Sequence, residues 1–267
     1  MFNSQFEIMK YNTDINSFGG IQDYHMIHEA LRSFLNDEED LKERMIKDNI
    51  FGIRTEEGRG RFYRGIKSSI LNFQNQEHKD IYHSFFNILD DRLPYNLFVF
   101  WQLVLNNKLF KTLTQELFLK FYFNGKATIT SEDVYSFIMH LKEEDQEFKD
   151  LNWTKKTIEP VASKYLTILK KLGFLEGAQK KMFKHVQVSD TELTVFLYLM
   201  KAAYPEVSNQ RLNEFQVFSF VSPESFPERI KKIAQKGWIG MSYSGTNLEI
   251  ETLIDNKDLA NVLYSRA

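Results

Sequence analysis

The sequence predicts a mainly α-helical protein, with helix-turn-helix and winged-helix modules joined by helices and a small β-hairpin wing near the C-terminus. Three observations carry this. Apolar residues recur at helical spacing through most of the chain. Helix-breaking residues are few, five prolines and 12 glycines in 267 residues. A two-residue period replaces the helical one near the end, where Leu248, Ile250 and Thr252 alternate with Glu249 and Glu251.

Residues 1–18 read as a polar, aperiodic arm, and Gly19-Gly20 as the punctuation that starts the ordered part. A first helix is expected over 21–34, with Tyr24, Ile27, Leu31 and Phe34 on one stripe. A second is expected over 38–48, with the acidic run 37–40 at its positive end. Asn49 and Gly52 mark a turn, and Thr55 can cap a third helix running to about 73, with Phe62, Ile66, Ile70 and Phe73 on its apolar stripe. Helices over 77–90 and 95–107 flank Leu93-Pro94, and another covers 112–123, ending at Asn124-Gly125.

Thr130 or Ser131 opens a helix with Val134, Phe137, Ile138 and Leu141 on one face; the charged stretch Lys142 to Asp150 reads as solvated. The next helix has Ile158, Val161, Tyr165, Ile168, Leu169 and Leu172 on its core face, starts near Thr157 because of Pro160, and closes at Gly173. Lys180 to Val188 alternates weakly and suits a wing strand. Ser189-x-x-Glu192 is a capping box for a helix to about 203 that Pro205 stops, and Ser225-x-x-Glu228 opens another ending at Gly237. Two short strands, 238–243 and 247–253, surround Ser244-Gly245-Thr246, and a last helix covers 255–265. The segments group as an arm (1–18), a helical domain with the helix-turn-helix (19–110), a winged-helix-like domain (111–188) and a C-terminal helical part with the hairpin (189–267).

Composition removes several classes of function. Without cysteine there is no disulfide, thiolate metal site, iron–sulfur cluster or cysteine nucleophile. Hydrophobic residues at 43% and charged residues at 26% are ordinary for a folded chain. A net charge of −2 leaves no general attraction for nucleic acid, so any such binding must come from local patches. The longest uncharged stretch, Leu93 to Asn107, is interrupted by Pro94, Asn96 and Gln102 and falls short of the ~20 apolar residues of a membrane span. The first ten residues do not form a secretory signal, so a cytoplasmic protein is expected.

Catalytic signatures fail in turn. Gly65-Ile66-Lys67-Ser68 lacks the glycines of a phosphate-binding loop, and Gly240 to Ser244 misses the nucleophile elbow at its fifth position. His25 and His28 could share one helical face, but the sequence marks no third strong ligand. Glu143-Glu144-Asp145 sits within a charge run and reads as a solvated face. No enzyme, cofactor or metal is expected.

The third helix is more informative. Arg54, Arg59, Arg61, Arg64 and Lys67 stand against Glu56 and Glu57, a local excess of three positive charges. With the apolar stripe facing inward, Gly60, Arg61, Arg64, Lys67 and Ser68 fall on the opposite side at about 100° per residue. A small residue, three cations and a hydroxyl on one strip suit a phosphate backbone, and the preceding helix and turn complete a helix-turn-helix outline. A second basic segment, Lys155 to Lys184, carries an excess of six positive charges. Lys155 and Lys156 flank a helix N-terminus, and Lys164 follows two turns on. An ordinary solvated face is the competing reading for both segments.

Several pieces together resemble the BrxA family of BREX phage-defence systems, a family often labelled an inner-membrane protein. They are Leu41-x-x-x-Met45-x-x-x-Asn49-x-Phe51-Gly52-x-Arg54-Thr55, then Leu117-Phe118-Leu119-Lys120-Phe121-Tyr122-Phe123 before Thr130-Ser131-Glu132-Asp133-Val134. Trp153-Thr154 with Thr157 follows, then Leu172-Gly173-Phe174-Leu175-Glu176-Gly177. Order and spacing agree over residues 19–200. The resemblance implies a mostly helical, non-catalytic protein that binds DNA beside other BREX proteins. It points to the basic helix (Arg54, Arg61, Arg64, Lys67) and the start of the 157–172 helix as contacts. The membrane label conflicts with the span-length argument. The expected function is sequence-tolerant DNA binding; a protein–protein adaptor with little nucleic-acid binding is the alternative.

Overall fold

Helix follows helix along the chain because the sequence supplies caps at the right intervals. The computed structural model describes residues 9–36, 40–88, 94–205, 214–244 and 247–264. In order, its elements are α1 (Ile15–Gly20), α2 (His25–Asn36), α3 (Leu41–Ile46), α4 (Glu56–Ser69), α5 (Gln76–Phe86), α6 (Tyr95–Asn106) and α7 (Lys108–Leu113). A π-helical segment, Thr114–Phe118, joins α7 to α8 (Leu119–Phe123). Then come β1 (Thr128–Ile129), α9 (Ser131–Glu144), α10 (Gln146–Asp150), α11 (Lys155–Lys171), β2 (Leu175–Glu176), β3 (Lys181–Phe183) and α12 (Asp190–Ala203). A 3-10 turn (Gln216–Ser219), α13 (Phe226–Gln235), β4 (Ile239–Ser244), β5 (Asn247–Thr252) and α14 (Leu259–Tyr264) complete the chain. The protein is mainly helical, with an antiparallel hairpin near its C-terminus.

Two units form, Met1–Asn72 with Tyr95–His185, and Phe73–Pro94 with Val186–Ala267. They cut across the segments 19–110 and 111–188 read from sequence. In the first unit α6 is buried on every side, from Leu97 to Leu105, which is what a helix without a polar face requires. The uncharged stretch that is too short to span a bilayer is therefore core. Its polar interruptions work locally: the buried Gln102 amide donates to the carbonyls of Ile70 (2.8 Å) and Asn72 (2.9 Å) at the end of α4. Three strands form a sheet in the order β1-β3-β2, antiparallel, with Thr128 opposite Met182 and Leu175 opposite Phe183.

The second unit is organised around Tyr198 of α12. Its hydroxyl donates to the Trp238 carbonyl at 2.6 Å and accepts from the amides of Leu253 and Ile254 at 2.9 Å each. That one group holds both ends of the β4–β5 hairpin. Asp190, at the start of α12, accepts from Arg229 (2.9 Å) and Lys236 (2.8 Å), tying α13 to α12.

Several local expectations need correction. Residues 15–20 are not an arm: α1 buries Ile15 and Phe18, and Gly19 is a contact rather than punctuation. A Cβ on Gly19 would lie 2.6 Å from the Lys164 Cβ, so the lack of a side chain is what lets α1 lie against α11. The stretch Lys142 to Asp150 is not simply solvated, because α10 buries Phe148 between the rings of Tyr11 and Trp153, each centred 5.0 Å away. α4 stops at Ser69, leaving Phe73 outside it. α11 begins at Lys155, with Pro160 inside it. The box read at Ser225 does not form, since that side chain makes no capping bond and Pro227 sits in the first turn. Residues 37–39 of the acidic run and Gly245-Thr246 of the hairpin turn lie outside the described residues.

Candidate nucleic-acid interface

The α3–α4 corner is set by backbone chemistry. Asn49 and Gly52 both take positive φ (53° and 63°), a conformation that asparagine and glycine tolerate best. The Asn49 side chain accepts from the Ile53 amide at 2.8 Å, and Thr55 caps α4 by accepting from the Gly58 amide at 3.1 Å. Arg59 reaches back across the turn, donating from Nε to the Ile46 carbonyl (2.6 Å) and from Nη1 to the Ile53 carbonyl (3.2 Å). Its guanidinium is thereby occupied in holding the corner.

Phe62, Ile66 and Ile70 are buried, and Arg54, Arg61, Arg64, Lys67 and Ser68 are exposed. Arg61 pairs with Glu57 at 2.9 Å on the open surface, an interaction weak enough to exchange for a phosphate. Arg54, Arg64 and Lys67 have no ion-pair partner among the described residues. The Ser68 hydroxyl lies 2.8 Å from a carboxylate oxygen of Asp14, just before α1, so it is already engaged.

Along the second basic segment the lysines divide in two. Lys155 and Lys156 are exposed in the first turn of α11; Lys155 lies 3.6 Å from Glu159, and Lys156 has no partner among the described residues. Four others point at backbone carbonyls. Lys164 reaches Gly19 (3.5 Å), Lys170 reaches Gly177 (2.9 Å), Lys171 reaches Ile21, and Lys181 reaches Ala178 and Gly177. Burial, and then the charge of Lys164, hold the Lys171 ammonium below its ordinary pKa. About half of the positive charge counted in this segment thus serves as struts.

α1 packs against both α4 and α11, so the two basic helices flank it. Ser163 and Gln179, which sequence reasoning did not single out because they carry no charge, are exposed and line one groove. The one signal near them is Gly177, whose φ of +94° makes the turn between β2 and β3. His28 stacks on Tyr95 and His25 lies 3.4 Å from Glu29; among the described residues no group of three metal-binding side chains is found.

The profile of the BrxA family matches residues 9–200. The chain belongs to the BrxA family. That match spans both basic segments, Arg54 to Lys67 and Lys155 to Lys184, and ends within α12, before the hairpin. BrxA proteins are components of BREX phage defence, in an accessory family not known for enzymatic activity. Comparison with curated proteins finds no match to this chain. Among the described residues no helix is long and apolar enough to cross a membrane.

Proposed function

We propose that this BrxA protein is a cytoplasmic, non-enzymatic accessory that binds DNA through its phosphate backbone and works beside other BREX proteins. The observation that carries the reading is the set of exposed cations without ion-pair partners among the described residues: Arg54 in the turn before α4, Arg64 and Lys67 on α4, and Lys156 on α11, the two helices sharing α1 as a neighbour. The arrangement of unit one supports it. From α8 to β3 the order is helix, strand, three helices (α10 a short one) and two strands, with β3 between β1 and β2, an order that resembles a winged helix. We read the α3–α4 corner as the helix-turn-helix. Contacts to phosphate carry no sequence information, so binding is sequence-tolerant. Within the site, Arg59 and Lys164 act as supports, while Arg61, Arg64, Lys67 and Lys156 meet the duplex.

Replacing Arg61, Arg64 and Lys67 together by Ala tests this. Binding to a duplex, followed by fluorescence anisotropy, weakens and loses salt dependence, while the melting temperature holds because all three are exposed. Wild-type affinity in the triple variant at low and moderate salt removes α4 from the site. An adaptor role draws on the exposed Glu249 and Glu251 of the hairpin, which repel phosphate and suit a basic protein partner. Binding that ignores salt favours that reading.

A further inference from the structure

Between the start of α9, the exposed side of α11 and the β2–β3 turn lies a groove of about 500 Å³. Leu166 lies at its wall on α11, Ser163 and Thr167 line the same helix, and Gln179 and Lys180 line the turn opposite. The turn is held in place. Gly177 takes a φ that an L side chain rarely adopts, and a Cβ there would meet the Lys180 carbonyl at 2.6 Å. Lys170 on α11 donates to the Gly177 carbonyl at 2.9 Å, fastening the turn to the helix, and Lys181 closes it from within. Two lysines thus fix the turn, and Lys180 alone among its cations is exposed without a partner among the described residues.

The charges around the groove are unequal. On the α9 side, Asp133 is bound up in the capping box and paired with Lys126 at 3.1 Å. Glu132 remains as the one exposed acid lining the groove. Glu159, farther along α11, faces Lys155 at 3.6 Å. Lys156 is exposed on the helix that forms the groove wall. The Ser163 hydroxyl, the Gln179 amide and the unpaired Lys180 ammonium are donors that a phosphodiester accepts from, whereas the Thr167 hydroxyl already donates to the Ser163 carbonyl at 2.9 Å.

We infer that this groove seats one sugar–phosphate strand of duplex DNA, with Lys180 and Gln179 on one side and Ser163 on the other. The inference rests on the DNA-binding reading and assigns it to a place separate from the α4 strip. Because the turn is fixed before binding, no ordering of it is needed when DNA arrives.

Three variants test it in anisotropy titrations of a 20-base-pair duplex across a salt series. Lys180→Ala lowers the slope of log K against log salt by about 0.9, one phosphate contact. Ser163→Trp changes no charge and lies on an exposed position; by filling the groove it weakens binding roughly tenfold. Glu132→Gln removes the facing repulsion and tightens binding. Melting curves establish that each variant is folded. If wild type binds and both Lys180→Ala and Ser163→Trp match it in affinity and slope, the groove is not the seat and the inference falls alone. If wild type binds no duplex, the DNA-binding reading falls and takes the groove with it.

Discussion

His28 shows how one side chain can set a pH limit on the fold. Its Nε2 atom is buried without a hydrogen-bond partner, and its ring stacks on Tyr95 at 5.2 Å. Burial lowers its pKa to about 4, helped by the charges of His25 and Arg32. The unfolded chain binds the proton near the ordinary value of about 6.5, so unfolding takes up a proton between these values. The folded state is at full strength above that range and loses stability as pH falls from about 6.5 toward 4. His28→Phe keeps the aromatic stack and removes the proton, so its unfolding free energy, measured by denaturant titration at each pH, falls less over that interval, by up to about 2.5 kcal/mol. Equal pH profiles for the two proteins would show that His28 is not the group responsible. Arg59 makes a second case. Arg59→Ala loses two charge-assisted bonds to carbonyls and lowers stability by roughly 1.5–3 kcal/mol. If the variant loses DNA affinity with no change in melting, Arg59 contacts phosphate after all.

At the scale of elements, what could be read in advance was what is written locally. Thr55, Thr130 and Ser189 cap helices where their spacing places them, and the core stripe of α11 is buried from Ile158 to Leu172. α1 escaped because its partner is 145 residues away, at Lys164. A short helix that is stable only through packing leaves little periodicity to detect. Gly19→Ala therefore pushes α1 from α11 and lowers stability by about 1–3 kcal/mol, whereas Gly20→Ala, with open space at its Cβ, does not. A pair of equal melting temperatures would contradict the close approach. The candidate site was half legible for the same reason. The sequence displayed the charges of Lys164, Lys170, Lys171 and Lys181, but whether a lysine faces solvent or a carbonyl depends on backbone brought there by folding.

For the whole molecule, counting charges overstates the electrostatic reach. Of eight lysines between residues 155 and 184, four are taken up by carbonyls. The salt dependence of DNA binding should therefore report fewer contacts than the composition suggests. Arg61, Arg64, Lys67, Lys156 and Lys180 together would give a slope of about 4.5 at about 0.9 per contact. A slope near twice that value would mean that the strut lysines leave their carbonyls when DNA binds.

The chain leaves the first unit after Asn72, contributes α5 to the second, and returns at Tyr95. Neither unit is a continuous piece of the gene. A ribosome making this protein releases α5 more than 100 residues before α12, the helix it packs with, and Ile81, Tyr82, Phe85 and Phe86 must wait with their apolar surface uncovered. Truncation at residue 200, where the family match ends, would keep most of α12 but leave α5 without α14, the other helix that packs on it, since α13, the hairpin and α14 would never arrive. Such a fragment should be prone to aggregation even though it contains every cation of the proposed interface, and chaperone demand during synthesis should track the second unit rather than the DNA-binding one.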